Sequence, residues 1–336
     1  MATSRPVHID LTPPIIHYIN DGGEEDDIDF SADDSFLTFS WSASDPESGI
    51  DHCEWAVGSQ PGFDDVLPSE VTPHSASSLS RSLPAGAAAS AEAQRLYVTL
   101  ACHNRAGQSS RATSDGLTFV TAPPSVAAAV VTIKAVSETQ YGVRDGHQSQ
   151  RDRLRASWDS FQDPFGIHYY ECLLTGPGSM GSEWHHCGTE TETHLNWSGL
   201  SLLDGATYSL SVRAVNHAGL ASLAVSNNIT IKSSRPLISA DLNLINATWH
   251  DDGTVDLAWP GLFTSASSSS SSSSPSLVYE VSLGTLPGSV DVLQWVETAQ
   301  AGLQVGRLAP HTDYHLTLTA VNAAGLSQTA NQIIHN

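Results

Sequence analysis

The feature that most constrains the fold is a threefold internal repeat. Three segments of the sequence match one another closely: LYVTLACHNRAGQ (96–108), YSLSVRAVNHAGL (208–220) and YHLTLTAVNAAGL (314–326). Each has apolar residues at every second position, then an Asn, and a Gly three residues after the Asn. A period of about 110 residues in a chain of 336 residues predicts one structural unit that occurs three times.

A tryptophan lies upstream of each of these segments. Trp41 in FSWSASDPESGI and Trp158 in ASWDSFQDPFGI each precede a Gly-Ile pair, and Trp259 in DLAWPG has the same place in the last third. We expect these three side chains to be buried in the cores of the units. Prolines open the units, and we place three domains at 1–122, 123–235 and 236–336.

Within each unit the hydrophobic period is two rather than 3.6. Segments such as VTLACHN, SLSVRAV and HLTLTAV alternate between apolar and polar residues, and clusters such as SDPESG, TGPG and LDGAT separate them. The Asp of each Asp-Pro pair, Asp45 and Asp163, is interpreted as a turn opener. Many short strands in a unit of about 100 residues predict an all-β chain of three tandem antiparallel β-sandwiches.

These residues resemble the fibronectin type III domain, in three copies that span essentially the whole chain. The family's pattern Tyr-x-apolar-x-apolar-x-Ala-x-Asn-x-x-Gly is met from Tyr208 to Gly219 and from Tyr314 to Gly325, and the three tryptophans match its core tryptophan. Residues 45–58 resemble a metazoan extracellular variety with the motif DPESGI…YEWAIGT. The first copy departs from the pattern at Leu96, and the third lacks the Asp-Pro…Gly-Ile turn.

The tyrosine of this pattern has a physical interpretation of its own. Its ring can be buried while its hydroxyl bonds to backbone a few residues upstream, which would pin the preceding connection. We expect Tyr208 and Tyr314 to do so. Leu96 can fill the space of the ring but cannot form the bond. The Asn-x-x-Gly element suits a hairpin turn, because Asn and Gly both tolerate positive φ.

Four cysteines permit three pairings, and their positions favour two disulfides within single units. Cys172 and Cys187 flank a Gly-rich turn and would lie nearly opposite each other on two hairpin strands. Cys53 and Cys102 fall on the predicted C and F strands, which are neighbours in one sheet, with both side chains toward the core. The alternative is four buried free thiols.

Three Asn-x-Ser/Thr sequons add to the evidence for the secretory route: Asn196, Asn228 and Asn246. Together with paired cysteines they favour an extracellular chain or the ectodomain of a cell-surface protein. The first residues show no signal-peptide pattern, so we expect the sequence to be a fragment of a longer protein.

Charge excludes several classes of partner. The chain has 36 acidic and 14 basic side chains, with a formal net charge of −22, so a nucleic-acid binder is not expected. Only two lysines occur, and no apolar run is long enough to cross a membrane. We expect the partners to be other extracellular or cell-surface proteins.

The strongest charge run is DGGEEDDIDFSADD, residues 21–34. We interpret it as a solvated loop that keeps the protein soluble. The alternative is a calcium site, whose oxygen ligands would come from Asp21, Glu24, Asp26, Asp27 and Asp29.

The cluster of His185, His186 and Cys187 has metal-like composition, but adjacent histidines of a strand point to opposite faces. We therefore expect no resident metal and no cofactor.

The sequence carries no nucleophile elbow, phosphate-binding glycine loop or zinc-hydrolase pair, so we expect no enzymatic activity. A serine-rich insertion at 264–276 is expected to be a disordered loop. The function that these features favour is a non-enzymatic extracellular module array for adhesion, matrix assembly or protein–protein interaction. The alternatives are the ligand-binding ectodomain of a receptor and an accessory segment of a larger secreted enzyme.

Overall fold

The computed structural model describes residues 9–23, 26–73, 75–87, 94–136, 140–144, 146–178, 183–195, 200–265, 276–306 and 308–335. These residues are nearly all in strands and turns, with one 3-10 helix, Leu242–Leu244. Compact packing distinguishes two units. One comprises 1–126, 161–169 and 214–222, and the other comprises 127–160, 170–213 and 223–336. The strand pairings themselves fall into three successive groups along the chain.

The first group forms two sheets. Its strands are β1 (Ile15–Asp21), β2 (Phe30–Ser31), β3 (Phe36–Ser44), β4 (Ile50–Gly58), β5 (Leu67–Pro73), β6 (Ser78–Ser82), β7 (Arg95–Asn104), β8 (Ser109–Thr113) and β9 (Leu117–Phe119). One sheet has the order β1-β3-β6, and the other has the order β2-β9-β7-β4-β5 with β8 beside β7. The inward side chains of both sheets form one hydrophobic cluster, as a β-sandwich requires.

The second group repeats this plan. Its strands are β10 (Val130–Lys134), β11 (His147–Gln148), β12 (Leu154–Asp159), β13 (Ile167–Thr175), β14 (His185–Gly188), β15 (Glu192–Leu195), β16 (Thr207–Asn216), β17 (Ala221–Val225) and β18 (Ile229–Ile231). The sheets have the orders β10-β12-β15 and β11-β18-β16-β13-β14, with β17 beside β16. The short β2–β9 and β11–β18 contacts are parallel.

The third group has the same two principal sheets. Its strands are β19 (Leu237–Ile238), β20 (Asn246–Trp249), β21 (Val255–Ala258), β22 (Phe263–Thr264), β23 (Leu277–Gly284), β24 (Leu293–Thr298), β25 (Gly302–Val305), β26 (Tyr314–Asn322) and β27 (Ser327–Ile334). The orders are β20-β21-β25 and β24-β23-β26-β27, with a two-stranded β19-β22 contact.

The predicted fold class of tandem β-sandwiches is therefore confirmed. The domain boundaries at 122 and 235 stay a prediction, and residues 266–275 of the serine-rich insertion lie outside the described residues.

The three tryptophans lie in the cores, with Trp41 3%, Trp158 2% and Trp259 0% exposed. Trp158 and Trp259 each contact a tyrosine of the facing sheet edge-on, with ring centroids 5.5 Å from Tyr170 and 5.6 Å from Tyr279. The first sandwich buries a second tryptophan, Trp55 on β4.

The two tyrosines hold the connection that precedes their strand. The hydroxyl of Tyr208 accepts a bond from the amide of Leu203 (2.8 Å) and donates to the carbonyl of Pro177 (2.7 Å). The hydroxyl of Tyr314 accepts a bond from the amide of Ala309 at 2.7 Å. Each accepted bond comes from five residues upstream, as expected from the sequence. Leu96 fills the equivalent buried place with no polar group.

The repeated asparagines have a different role from the one that we expected. Only the glycines of this element, among them Gly107 and Gly219, adopt positive φ (86° and 80°). The side-chain oxygen of Asn216 instead accepts bonds from the amides of Ala218 and Leu220, which closes the turn. Its amide nitrogen donates to the carbonyl of Ala122 at 3.3 Å. Asn104 and Asn322 make the same two kinds of bond, to Thr12 and Ser234 respectively.

The aspartates of the Asp-Pro turns open those turns, as expected. Asp45 Oδ1 accepts bonds from the amides of Ser48 (2.8 Å) and Gly49 (3.2 Å), and Asp45 Oδ2 accepts one from Asn104 Nδ2 (2.9 Å). These bonds, above all that from Asn104, hold the pKa of Asp45 below its ordinary value. Asp163 bonds Asn216 in the same way at 3.0 Å. In the first two sandwiches the asparagine therefore ties two turns together.

Replacement of Tyr314 by Phe should destabilise the third sandwich by about 1 kcal/mol, because the change leaves the Ala309 amide without its acceptor. Tyr208→Phe should do the same in the second. The measurement is hydrogen exchange of the full chain, read on peptides from β26 and β16. Tyr18→Phe is the matched control, since Tyr18 is 45% exposed and should change nothing. Unchanged exchange in all three variants would contradict the role of the tyrosines.

Candidate functional site

The acidic run divides into one buried carboxylate and several exposed ones. Asp21 ends β1 and is 0% exposed, whereas Asp26, Asp27 and Asp29 are exposed. Glu24 lies outside the described residues. The expectation of a solvated loop is therefore wrong for Asp21, because β1 carries this residue into the sandwich before the loop begins.

Asp21 is held by one hydrogen bond to its side chain and one from its own backbone amide. Its Oδ2 accepts a bond from the amide of Gly116 at 3.0 Å, and its own amide donates to Asp27 Oδ1 at 2.8 Å. Its Oδ1 is buried with no hydrogen-bond partner. Burial raises the pKa of Asp21 to about 6, and the nearby charges of Asp27 and Asp115 act in the same direction.

Asp115 is the residue of this cluster that sequence reasoning missed. Single carboxylate oxygens of Asp21, Asp27 and Asp115 lie within 4.8 Å of one another. Arg95 already supplies a positive charge here, since its Nη2 is 4.0 Å from Asp115 and 3.7 Å from Asp29. Of the calcium ligands considered from the sequence, Asp21 and Asp27 are in this three-carboxylate group and Asp26 and Asp29 are not.

The raised pKa of Asp21 sets a pH dependence. The folded state binds this proton more tightly than the unfolded state, whose Asp has the ordinary value of 3.8. The stabilisation that protonated Asp21 gives to the folded state is therefore fully present below pH 3.8. It is lost as the pH rises through about 6. Asp21→Asn should leave the first sandwich nearly unchanged at pH 4 and stabilise it by roughly 3 kcal/mol at pH 7.

Hydrogen exchange on peptides from β3 and β7, compared between variant and wild type at the same pH, measures this difference. Asp29→Asn is the control, because its side chain is 67% exposed. An Asp21→Asn variant that is less stable than wild type at pH 7 would show that the charged carboxylate is needed.

All four cysteines form disulfides, Cys53 with Cys102 and Cys172 with Cys187. Cys53 and Cys102 are direct cross-strand partners on β4 and β7, with Cα atoms 4.0 Å apart, and both are buried. The structure therefore contradicts the alternative of four free thiols.

The second disulfide has a different register from the one expected. The Cα partner of Cys172 on β14 is His185 rather than Cys187. A register shift separates the pairs Tyr170↔Gly188 and Glu171↔His186, so Cys187 lies at a β-bulge. The disulfide crosses this irregular pair with a Cα–Cα distance of 6.1 Å and uses the sulfur that a metal site with His185 and His186 would need.

The two disulfides should differ in their contribution to stability. They close separations of 49 and 15 residues. In the chain-entropy model these loops correspond to about 4 and about 3 kcal/mol. We expect Cys53→Ala/Cys102→Ala to lose more stability than Cys172→Ala/Cys187→Ala in urea titrations of the full chain. Equal stability of both variants and the wild type would contradict a stabilising role.

The structure describes the asparagines of two of the three sequons. Asn228 and Asn246 are both exposed, Asn228 just before β18 and Asn246 at the start of β20. Asn196 lies outside the described residues. Exposure makes two of the three asparagines accessible to a glycosyltransferase, and their modification stays a prediction. Among the described residues no helix is long and apolar enough to span a membrane.

Comparisons with known proteins give structural likenesses only. No family model matches the sequence, and no curated protein does. The chain is similar to the FN1-FN3 domains of chicken CNTN1, at 15% identity and a TM-score of 0.32 over 96% of this chain and 98% of that one. It is similar to fibronectin(III)-like modules of Clostridium thermocellum CbhA, at 12% identity and a TM-score of 0.37 over 64% and 94%.

A third similar structure comes from a 1.5-MDa bacterial ice-binding adhesin, at 13% identity and a TM-score of 0.40 over 97% of this chain and 98% of that one.

Proposed function

We propose that this chain is a non-enzymatic extracellular array of fibronectin type III-like modules that binds other extracellular or cell-surface proteins. The observation that carries the proposal is the pair of disulfides, each of which joins strands of one sandwich. Disulfides of this kind persist in oxidising compartments and are rare in the cytosol.

The surface offers places where a protein partner could bind. β24 is the edge strand of the sheet β24-β23-β26-β27, and its Trp295 is 53% exposed. Edge strands present unpaired backbone groups, and tryptophan is enriched among the residues that dominate binding energy. The net charge of −22 favours a partner with a basic surface.

The test is binding of the labelled, oxidised full chain to intact cells and to isolated extracellular matrix. We expect saturable binding that weakens as salt rises, since screening reduces attraction between the acidic chain and a basic partner. Trp295→Ser should weaken it several-fold. Phe63→Ser is the matched control, because Phe63 is also about half exposed (50%) but lies in the first sandwich.

Thermally unfolded chain provides the baseline without the sandwich fold, because the third sandwich has no cysteine and reduction would leave it intact. Binding that is equal for the folded and the unfolded chain, or absent from both cells and matrix, would overturn the proposal.

A further inference from the structure

Three potential metal ligands share one face of the first sandwich. His52 on β4 is the cross-strand partner of His103 on β7, and Glu54 follows His52 by two residues. Because alternate residues of a strand point to the same face, these side chains lie opposite to the buried Cys53 and Cys102. All three are partly exposed.

The side chains are close enough to bind one ion. The imidazole rings of His52 and His103 are stacked, with centroids 4.7 Å apart and planes 13° apart. One ligand atom from each of His52, Glu54 and His103 lies within 4.8 Å of the others. Bonds of about 2.0–2.2 Å in a tetrahedral zinc site place ligand atoms roughly 3.3–3.6 Å apart. Because the three side chains are partly exposed, small rotations of them would bring the ligand atoms from within 4.8 Å to this spacing.

A neighbouring carboxylate orients one of the rings. Asp51 Oδ2 lies 2.9 Å from His52 Nδ1. When Nδ1–H donates to this carboxylate, the lone pair is on Nε2, the nitrogen that would bind a metal. A carboxylate behind a ligating histidine is the usual arrangement in zinc sites, where it fixes the tautomer and raises the basicity of the ring.

The backbone beneath the cluster is covalently fixed. The pair next to His52↔His103 in the ladder is Cys53↔Cys102, which is the disulfide. The disulfide therefore holds the two histidine-bearing strands in register, and little backbone ordering remains to oppose binding. The first 122 residues hold 18 acidic and 5 basic side chains, which favours a cation over an anion.

We propose that His52, His103 and Glu54 bind a Zn²⁺ ion, with Asp51 as a positioning residue and the fourth coordination position open. Two imidazoles and one carboxylate suit Zn²⁺, whereas Ca²⁺ takes six to eight oxygen ligands. The site is separate from the buried Asp21 cluster and from the protein-binding function proposed above.

The chain contains a matched control pair. His168 and His217 are also stacked, with centroids 4.8 Å apart and planes 15° apart. This pair is in none of the three-ligand groups found among the described residues. It therefore tests whether a stacked histidine pair alone accounts for any zinc binding.

The experiment is calorimetric titration of ZnCl₂ into the tag-free, oxidised full chain. We expect one site of highest affinity, weakened at least tenfold by His52→Ala, by His103→Ala and by Glu54→Gln. Asp51→Asn should weaken it about tenfold, as loss of an outer carboxylate does. His168→Ala and His217→Ala should leave it unchanged. Co²⁺ in place of Zn²⁺ should give visible d–d bands that the His52 and His103 variants lose.

Circular dichroism checks that each variant is folded, and Glu54→Gln keeps the size of the side chain in case an alanine variant is not. Two results would overturn the proposal: wild type and the His52→Ala/His103→Ala double variant binding Zn²⁺ equally, or His217→Ala causing the same loss as His103→Ala.

Discussion

The pairing of two long strands in the middle of each larger sheet is the interaction on which the rest of the structure depends. These pairs are β4–β7, β13–β16 and β23–β26. Their inward residues supply much of each core, and the second strand of each pair ends in the Asn-x-x-Gly turn. Because the side chains alternate, the same ladder that buries one face presents the other to solvent. In the first sandwich, the buried disulfide and the histidine pair lie on opposite faces of one such ladder, β4–β7.

The three copies keep this framework but secure it differently. The first has Leu96 in place of the tyrosine and a disulfide across its central pair. The second has Tyr208 and a disulfide on the edge strand β14. The third relies on Tyr314 and has no cysteine. A disulfide in the central ladder thus occurs in the copy that lacks the tyrosine bond.

The elements that could be predicted from the sequence are those that depend on local pattern. A period of two, the spacing of the repeats and the Tyr-to-Gly signature are sufficient to predict strands, sandwiches and the tyrosine bonds, because each reflects which face a residue occupies. The pairing of Cys53 with Cys102 also follows from the alternation of side chains. Composition alone indicated an acidic first copy, but it did not distinguish the buried Asp21 from its exposed neighbours.

What the sequence could not supply depends on register and on distant contacts. Asp115 is far along the chain from Asp27, and only the packing of the sandwich brings them together. A register shift beside Asp51 places His52 opposite His103, and another displaces Cys187 from Cys172. A bulge of one residue is invisible to hydrophobic periodicity, yet it decides which side chains face each other.

The central claim is that the first and second sandwiches are each closed by a disulfide of their own, with no bond between them. Peptide mapping of the secreted, non-reduced protein tests it most directly. The account predicts that one disulfide-linked peptide pair contains Cys53 and Cys102, that another contains Cys172 and Cys187, and that free thiols are absent. Free thiols at these positions, or a bond from Cys53 to either later cysteine, would contradict it.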